Sequence, residues 1–255
     1  MTHMTATDGS DLWLRRFHPA PAAPVRLVCF PHAGGSASFY HPVSAALASD
    51  SDVVALQYPG RQDRRNEPNV DDIGVLADRI APVVAPLFDR PVVFFGHSMG
   101  AIIAFEVTRR LERKGHTPAM LFASGRRAPS TRRVETVHQR DDDGLLADVK
   151  ALSGTDAKVL GDEELLRMVL PAIRSDYRAI ETYGPVDATV DCPVTALVGD
   201  DDPKSTVLEA DAWRAHTTAA FHLREFRGGH FYLSSRAAEV IEVMREALRG
   251  AVAVR

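Results

Sequence analysis

Short apolar runs rich in β-branched and aromatic residues alternate with longer amphipathic stretches, and this alternation does most to narrow the fold. Val25–Phe30, Val53–Gln57, Pro91–Phe95, Met120–Ser124 and Pro193–Val198 each read as a strand buried on both faces, with Ala220–Phe226 as a sixth candidate. Between them, Val70–Leu87 places Val70, Ile73, Leu76, Ile80, Val83 and Val84 on one helical face, and Ala101–Leu111 and Ala237–Leu248 behave likewise. Parallel neighbours need a crossover, so strands separated by helices predict an α/β fold: a mostly parallel sheet flanked by helices. The last helix, with Val240, Ile241, Met244 and Leu248, is expected to pack on that sheet rather than lie on a membrane surface.

The alternation fails between residues 126 and 189. Asp141–Leu152 and Glu163–Tyr183 have helical spacing, the second interrupted at Pro171, and no strand lies between them. That is too long for a simple connection in a compact domain. A helical lid inserted into a single domain, over one end of the sheet, is expected at about 126–189. The polar residues 1–10 read as a loose tail, and 255 residues suit one large α/β unit.

Composition removes several classes of function. Thirty Lys and Arg against thirty-four Asp and Glu give a net charge of −4, without the basic excess of a nucleic-acid-coating protein. No apolar run reaches the ~18 residues of a membrane span, and the amino-terminal residues lack the apolar segment of an export signal. Cys29 sits in an apolar run and Cys192 precedes Pro193; both read as buried thiols, which suits a reducing, cytoplasmic setting. No nucleotide fingerprint follows a strand, and no H-E-x-x-H or cysteine cluster suggests a metal, so no cofactor is expected.

The chemistry concentrates at Gly96-His97-Ser98-Met99-Gly100, a G-x-S-x-G sequence between the strand Pro91–Phe95 and the helix starting near Ala101. Strand, sharp turn and helix are the context of a nucleophile elbow, which lifts a serine hydroxyl clear of the sheet. The flanking glycines let strand and helix approach without Cβ clashes. Ser98 is the candidate nucleophile.

A serine hydroxyl needs a positioned base, and in this architecture the partners follow in the order serine, acid, histidine. Of ten histidines, His230 follows Gly228-Gly229 in the loop between the last strand candidate and the last helix, where a catalytic base would sit. His97 flanks the nucleophile with its side chain expected to point away from the serine's. The acid should follow Pro193–Val198, where the chain reads Gly199-Asp200-Asp201-Asp202-Pro203. Asp202 is preferred over Asp201, to hold the histidine tautomer and stabilise its imidazolium. An oxyanion needs two backbone donors. Met99, after the nucleophile, supplies one, and Ala33 in Phe30-Pro31-His32-Ala33-Gly34-Gly35 is the choice for the other, with His32 read as an incidental loop histidine.

The segments FPHAGGSASFY (Phe30–Tyr40), YPGRQDR (Tyr58–Arg64), FFGHSMGAIIAFE (Phe94–Glu106), LPAIRSDYRAIETY (Leu170–Tyr183) and FRGGHFYL (Phe226–Leu233) together resemble type II thioesterases. These are the free-standing editing hydrolases of modular polyketide and nonribosomal peptide synthases. The resemblance spans about residues 25–250. It implies an α/β-hydrolase fold, a Ser98–Asp202–His230 triad and oxyanion donors at Met99 and Ala33. It also implies removal of stalled or wrong acyl groups from the phosphopantetheine arms of acyl or peptidyl carrier proteins, with no cofactor of the enzyme's own. A monomer is expected.

Arg126, Arg127, Arg132 and Arg133 follow the strand Met120–Ser124 at the site end of the sheet, and a docking rim for an acidic carrier protein is one reading of them. A solvated charged loop is the other. Two further functions stand beside the leading one: a general esterase or acyltransferase on small acyl esters, and a non-catalytic carrier-binding module. The complete set of serine, acid and histidine argues against the second.

Overall fold

The structure is a computed structural model that describes residues 12–153 and 163–253; the expected tail at 1–10 lies outside the described residues. The strands are β1 (Leu14–Arg15), β2 (Arg26–Phe30), β3 (Asp52–Leu56), β4 (Val92–His97), β5 (Met120–Ser124), β6 (Val194–Gly199) and β7 (Phe221–Phe226). The helices are α1 (His41–Leu47), α2 (Ile73–Val84), α3 (Met99–Glu112), α4 (Asp142–Ser153), α5 (Glu163–Thr182), α6 (Val207–Asp211), α7 (Tyr232–Ser235) and α8 (Ala237–Ala253).

The strands form one sheet in the order β1-β3-β2-β4-β5-β6-β7. All neighbours are parallel except β1, which pairs antiparallel with β3 through Leu14 and Leu56. The six expected strands all occur. The two-residue β1 is an addition, too short to leave a period-2 pattern in the sequence.

Alternation along β2 explains the layers. Val28 and Phe30 face one way and pack with Ile80 of α2 and Ile102 and Ile103 of α3. Leu27 and Cys29 face the other way, among Leu47 of α1 and Val240, Met244 and Leu248 of α8. Each fully buried Val, Leu, Ile or Phe contributes on the order of 1.5–3 kcal/mol, so both covered faces are needed to hold a sheet of this width. The α2 start is fixed by Asp72, whose carboxylate accepts from the Val75 N–H at 2.8 Å.

Between β5 and β6 the chain carries α4 and α5, whose Leu145, Leu146, Leu170, Ile173 and Tyr177 form a third apolar cluster that also touches Ala33. The interruption expected at Pro171 does not occur: α5 runs through it. Pro171 lies on the exposed side while Leu170, Ala172 and Ile173 are buried, and this packing outweighs the hydrogen bond the proline removes.

Register gathers the strand ends. Phe30 pairs with Gly96, His97 with Ser124, and Gly199 with Phe226, so the loops that follow β2, β4, β5, β6 and β7 emerge along one edge of the sheet. In open parallel sheets that carboxyl edge is where ligands bind.

Candidate active site

At the turn from β4 into α3, Ser98 has φ 54° and ψ −119°, a left-handed conformation that a non-glycine residue adopts only under constraint. The constraint is visible. The Ser98 N–H donates to the Ser124 carbonyl at 2.8 Å, and a Cβ on Gly100 would stand 2.0 Å from the Phe30 carbonyl oxygen. A Cβ on Gly96 would meet the Gly100 carbonyl oxygen at 2.3 Å. Strand and helix therefore cross at a spacing that only glycine permits, and Ser98 is left at their junction, partly accessible while its neighbours are buried.

His230 arrives from the β7–α7 loop and is 3% exposed. Its Nε2 is 2.9 Å from Ser98 Oγ, and its Nδ1 is 2.9 Å from both carboxylate oxygens of Asp202. Asp202 is also buried, and its Oδ1 accepts from the Lys204 N–H at 2.8 Å. The neighbouring aspartates do other work: Asp200 accepts from the Gly228 N–H at 2.8 Å, and Asp201 is exposed. Serine, histidine and carboxylate thus form one continuous hydrogen-bonded chain across loops 132 and 28 residues apart in sequence.

The loop after β2 runs against the start of α3 and is held from several sides. Tyr40 Oη donates to the Phe30 carbonyl at 3.0 Å, Tyr58 Oη to the Pro31 carbonyl at 3.3 Å, and the Ala37 N–H to Gln57 Oε1 at 2.9 Å. Gly34, at φ +74°, donates its N–H to Asp176 Oδ2 at 2.7 Å. Met99 is the first residue of α3, so its N–H has no acceptor within the helix.

Two more histidines stand beside His230. The His97 ring lies 5.0 Å from that of His230, and its Nδ1 is 3.0 Å from Ser124 Oγ. His32 packs edge-on against Phe39 and Phe231 and lies 5.9 Å from His97. Burial, reinforced by His230 and Arg61, pushes the His32 pKa down to about 3; burial also lowers His97, with His230 and His32 adding to it. Both are neutral at physiological pH.

The arginine run after β5 is largely spent inside the protein. Arg126 and Arg127 are buried; Arg127 pairs with Glu135 and Arg133 with Glu209. Burial, with Arg127 and Arg133 nearby, lowers the Arg126 pKa to about 9. Of the four, Arg132 alone is exposed. Arg61 and Asp176, to which the sequence alone assigns no role, are both buried in an ion pair beside Gly34. A signal was present: Asp176 sits three residues after Ile173 and four before Ile180, on the apolar face of α5, where a carboxylate requires a buried partner.

No group of His, Cys, Asp or Glu side chains fit to hold a metal occurs among the described residues, and no helix there is long and apolar enough to cross a membrane. Cys29 and Cys192 are free buried thiols whose pKa values burial raises.

A family model for the thioesterase domain matches residues 25–248. The probable cadicidin biosynthesis thioesterase of Streptomyces griseus is 61% identical over 96% of this chain and 68% of its own length. Thioesterase PikA5 of Streptomyces venezuelae is 50% identical over 94% of this chain and 86% of its own. Among solved structures, the type II thioesterase BorB of the borrelidin cluster superposes with a TM-score of 0.89 at 49% identity, covering 96% of this chain and 99% of its own. The chain belongs to the thioesterase family of α/β-hydrolases that act on acyl thioesters, on its type II side alongside enzymes of polyketide and nonribosomal peptide biosynthesis.

Proposed function

We propose that Ser98, His230 and Asp202 act as a catalytic triad that removes acyl groups from the phosphopantetheine thiol of acyl or peptidyl carrier proteins. The observation that carries this reading is the Ser98–His230–Asp202 chain, with every link at 2.9 Å. His230 Nε2 takes the Ser98 proton as Oγ attacks the thioester carbonyl, and Asp202 holds the Nδ1–H tautomer and stabilises the imidazolium. The tetrahedral oxyanion forms between the Met99 and Ala33 N–H groups, at the positive end of the 14-residue α3. Collapse breaks the C–S bond, His230 returns its proton to the leaving thiolate, and acyl-Ser98 remains. Water deprotonated by His230 then releases the acid and regenerates the serine.

No step calls for a metal or an organic cofactor. The inserted helices α4 and α5 act as a lid over the acyl group, with the cluster touching Ala33 as its apolar lining. Its biological task is editing, the clearance of stalled or incorrect acyl units, carried out by a monomer in the cytoplasm. Mass spectrometry of an acyl-loaded carrier protein incubated with wild type and with Ser98→Ala tests this. Conversion to the free-thiol carrier by wild type alone is expected. An untouched carrier beside rapid cleavage of small acyl esters would replace the reading with a general esterase.

A further inference from the structure

Two sequence segments not used by the triad, Tyr58-Pro59-Gly60-Arg61 and Arg174-Ser175-Asp176-Tyr177, meet at the loop that bears Ala33. Asp176, on α5, is 1% exposed and Arg61 is 7% exposed. One carboxylate oxygen, Asp176 Oδ2, accepts both from Arg61 Nη2 and from the Gly34 N–H. The same guanidinium donates from Nε to the Gly35 carbonyl at 3.1 Å and from Nη1 to the Pro59 carbonyl at 2.6 Å, with Tyr58 against it. The peptide units on the carboxyl side of Ala33 are thus gripped twice, at the Gly34 N–H by the inserted helix and at the Gly35 carbonyl by the arginine.

A buried ion pair is a costly way to stabilise a fold, since desolvation consumes most of its Coulomb energy and apolar residues of similar volume commonly do as well. Here burial raises the Asp176 pKa despite Arg61 and the Gly34 N–H, a sign of that cost. What apolar residues cannot do is hold a peptide plane at a fixed angle. Gly34 sits at φ +74° with Ile173 of α5 packed where a Cβ would be, so the loop is fitted to the seated helix. With the Gly34 N–H directed to the carboxylate, the preceding N–H, that of Ala33, is the one left for the oxyanion.

We propose that Asp176 and Arg61 are positioning residues that set the Ala33 N–H for the oxyanion and make catalysis depend on the seating of α5. The proposal rests on the triad reading above and deepens it. When α5 is displaced, the hole loses one donor, so the enzyme turns over only when the acyl group is covered.

The experiment compares Asp176→Asn, which keeps an acceptor for the Gly34 N–H, with the double variant Arg61→Met/Asp176→Leu, which removes the buried charges together and so avoids an unpaired ion. Each is assayed on the acyl-loaded carrier for kcat and KM and titrated with an alkyl boronic acid, which mimics the tetrahedral anion on Ser98. Loss of one oxyanion donor costs about 10²–10³-fold in kcat. The double variant is expected to lose kcat on that scale with KM within about threefold, and to lose boronate affinity in parallel. Asp176→Asn should recover most of both. A folded double variant with wild-type kcat, or a kcat loss with boronate affinity intact, overturns the proposal. Ser98→Ala is run beside them: if it retains turnover the triad reading itself fails, whereas an inactive Ser98→Ala beside an unimpaired double variant removes this inference alone.

Discussion

The His97 ring lies 5.0 Å from the ring of His230, tilted by 39° to it, with Ser124 Oγ linking His97 Nδ1 onward to Tyr232 Oη at 2.6 Å. In the proposed triad, His230 becomes an imidazolium when it takes the serine's proton. A charged neighbour at that distance would oppose the step, so His97 has to stay neutral, and its burial ensures this.

That arrangement gives stability a defined pH dependence. His32 and His97 titrate in the folded protein below the unfolded value of ~6.5, so below that pH the unfolded chain binds more protons than the native one. Their contribution is whole above pH ~6.5 and declines as the pH falls toward the folded-state values, by up to about 1.4 kcal/mol per unit for each group. Urea unfolding at pH 6.5 and pH 5 should differ by roughly 2–4 kcal/mol from this pair. His32→Phe, which places another aromatic ring beside Phe39 and Phe231, should remove about half of that slope; an unchanged slope would assign the acid sensitivity elsewhere.

The aspartate triplet separates by substitution. Asp202→Asn should lower kcat by about 10³–10⁴-fold, since the amide cannot enforce the tautomer that delivers Nε2 to Ser98. Asp201→Asn, at an exposed position whose backbone N–H bonds to the Gly228 carbonyl, should stay within about twofold of wild type. Equal losses in both would contradict the observed pairing of Asp202 with His230. The readout is steady-state hydrolysis of the acyl carrier.

Much of this was legible in the chain itself because it rests on local pattern. Strands buried on both faces read as continuous apolar runs, and the elbow is a five-residue signature whose glycines answer one short-range clash. His230 and Asp202 could be placed because each follows a strand end, and strand ends share an edge. The Arg61–Asp176 pair could not, because its members are 115 residues apart and only the tertiary fold decides which buried carboxylate meets which arginine. Pro171 misleads for a related reason: its local cost is real, but the burial of Leu170 and Ile173 is decided by α4, Val137 and the loop bearing Ala33. The arginines after β5 stay open to two readings in the sequence for the same reason, since side chains adjacent in the chain divide between Glu135, Glu209, the interior and solvent.

Two glycine-to-alanine changes should act in opposite directions. At Gly100 the new Cβ meets a backbone oxygen of β2 at 2.0 Å, so β4, α3 or the loop after β2 must shift, at a cost of more than about 3 kcal/mol and with loss of activity. At Gly250, within α8, nothing lies within 4 Å of the added methyl, and the gain in helix propensity should stabilise the protein by about 0.5–1 kcal/mol. Thermal unfolding of the two variants, with activity as a second readout, checks both signs.

The arginines after β5 give the last test, because burial divides a set that composition treats as one. Arg126→Glu exchanges a buried cation for an anion in an enclosed site shaped for a longer side chain, and should destabilise the fold by about 3–5 kcal/mol. Whatever it does to turnover then reflects folding, so it says nothing of docking. Arg132→Glu changes an exposed position and should leave thermal unfolding within about 2 °C. If an acidic carrier approaches this face, Arg132→Glu raises KM for the carrier-borne thioester severalfold at low salt and leaves hydrolysis of a small soluble thioester unchanged. That difference should shrink as ionic strength rises, because an exposed charge pair is screened within ~10 Å at 0.1 M salt. An Arg132→Glu enzyme with unaltered KM at low salt would move the docking face away from the β5 loop.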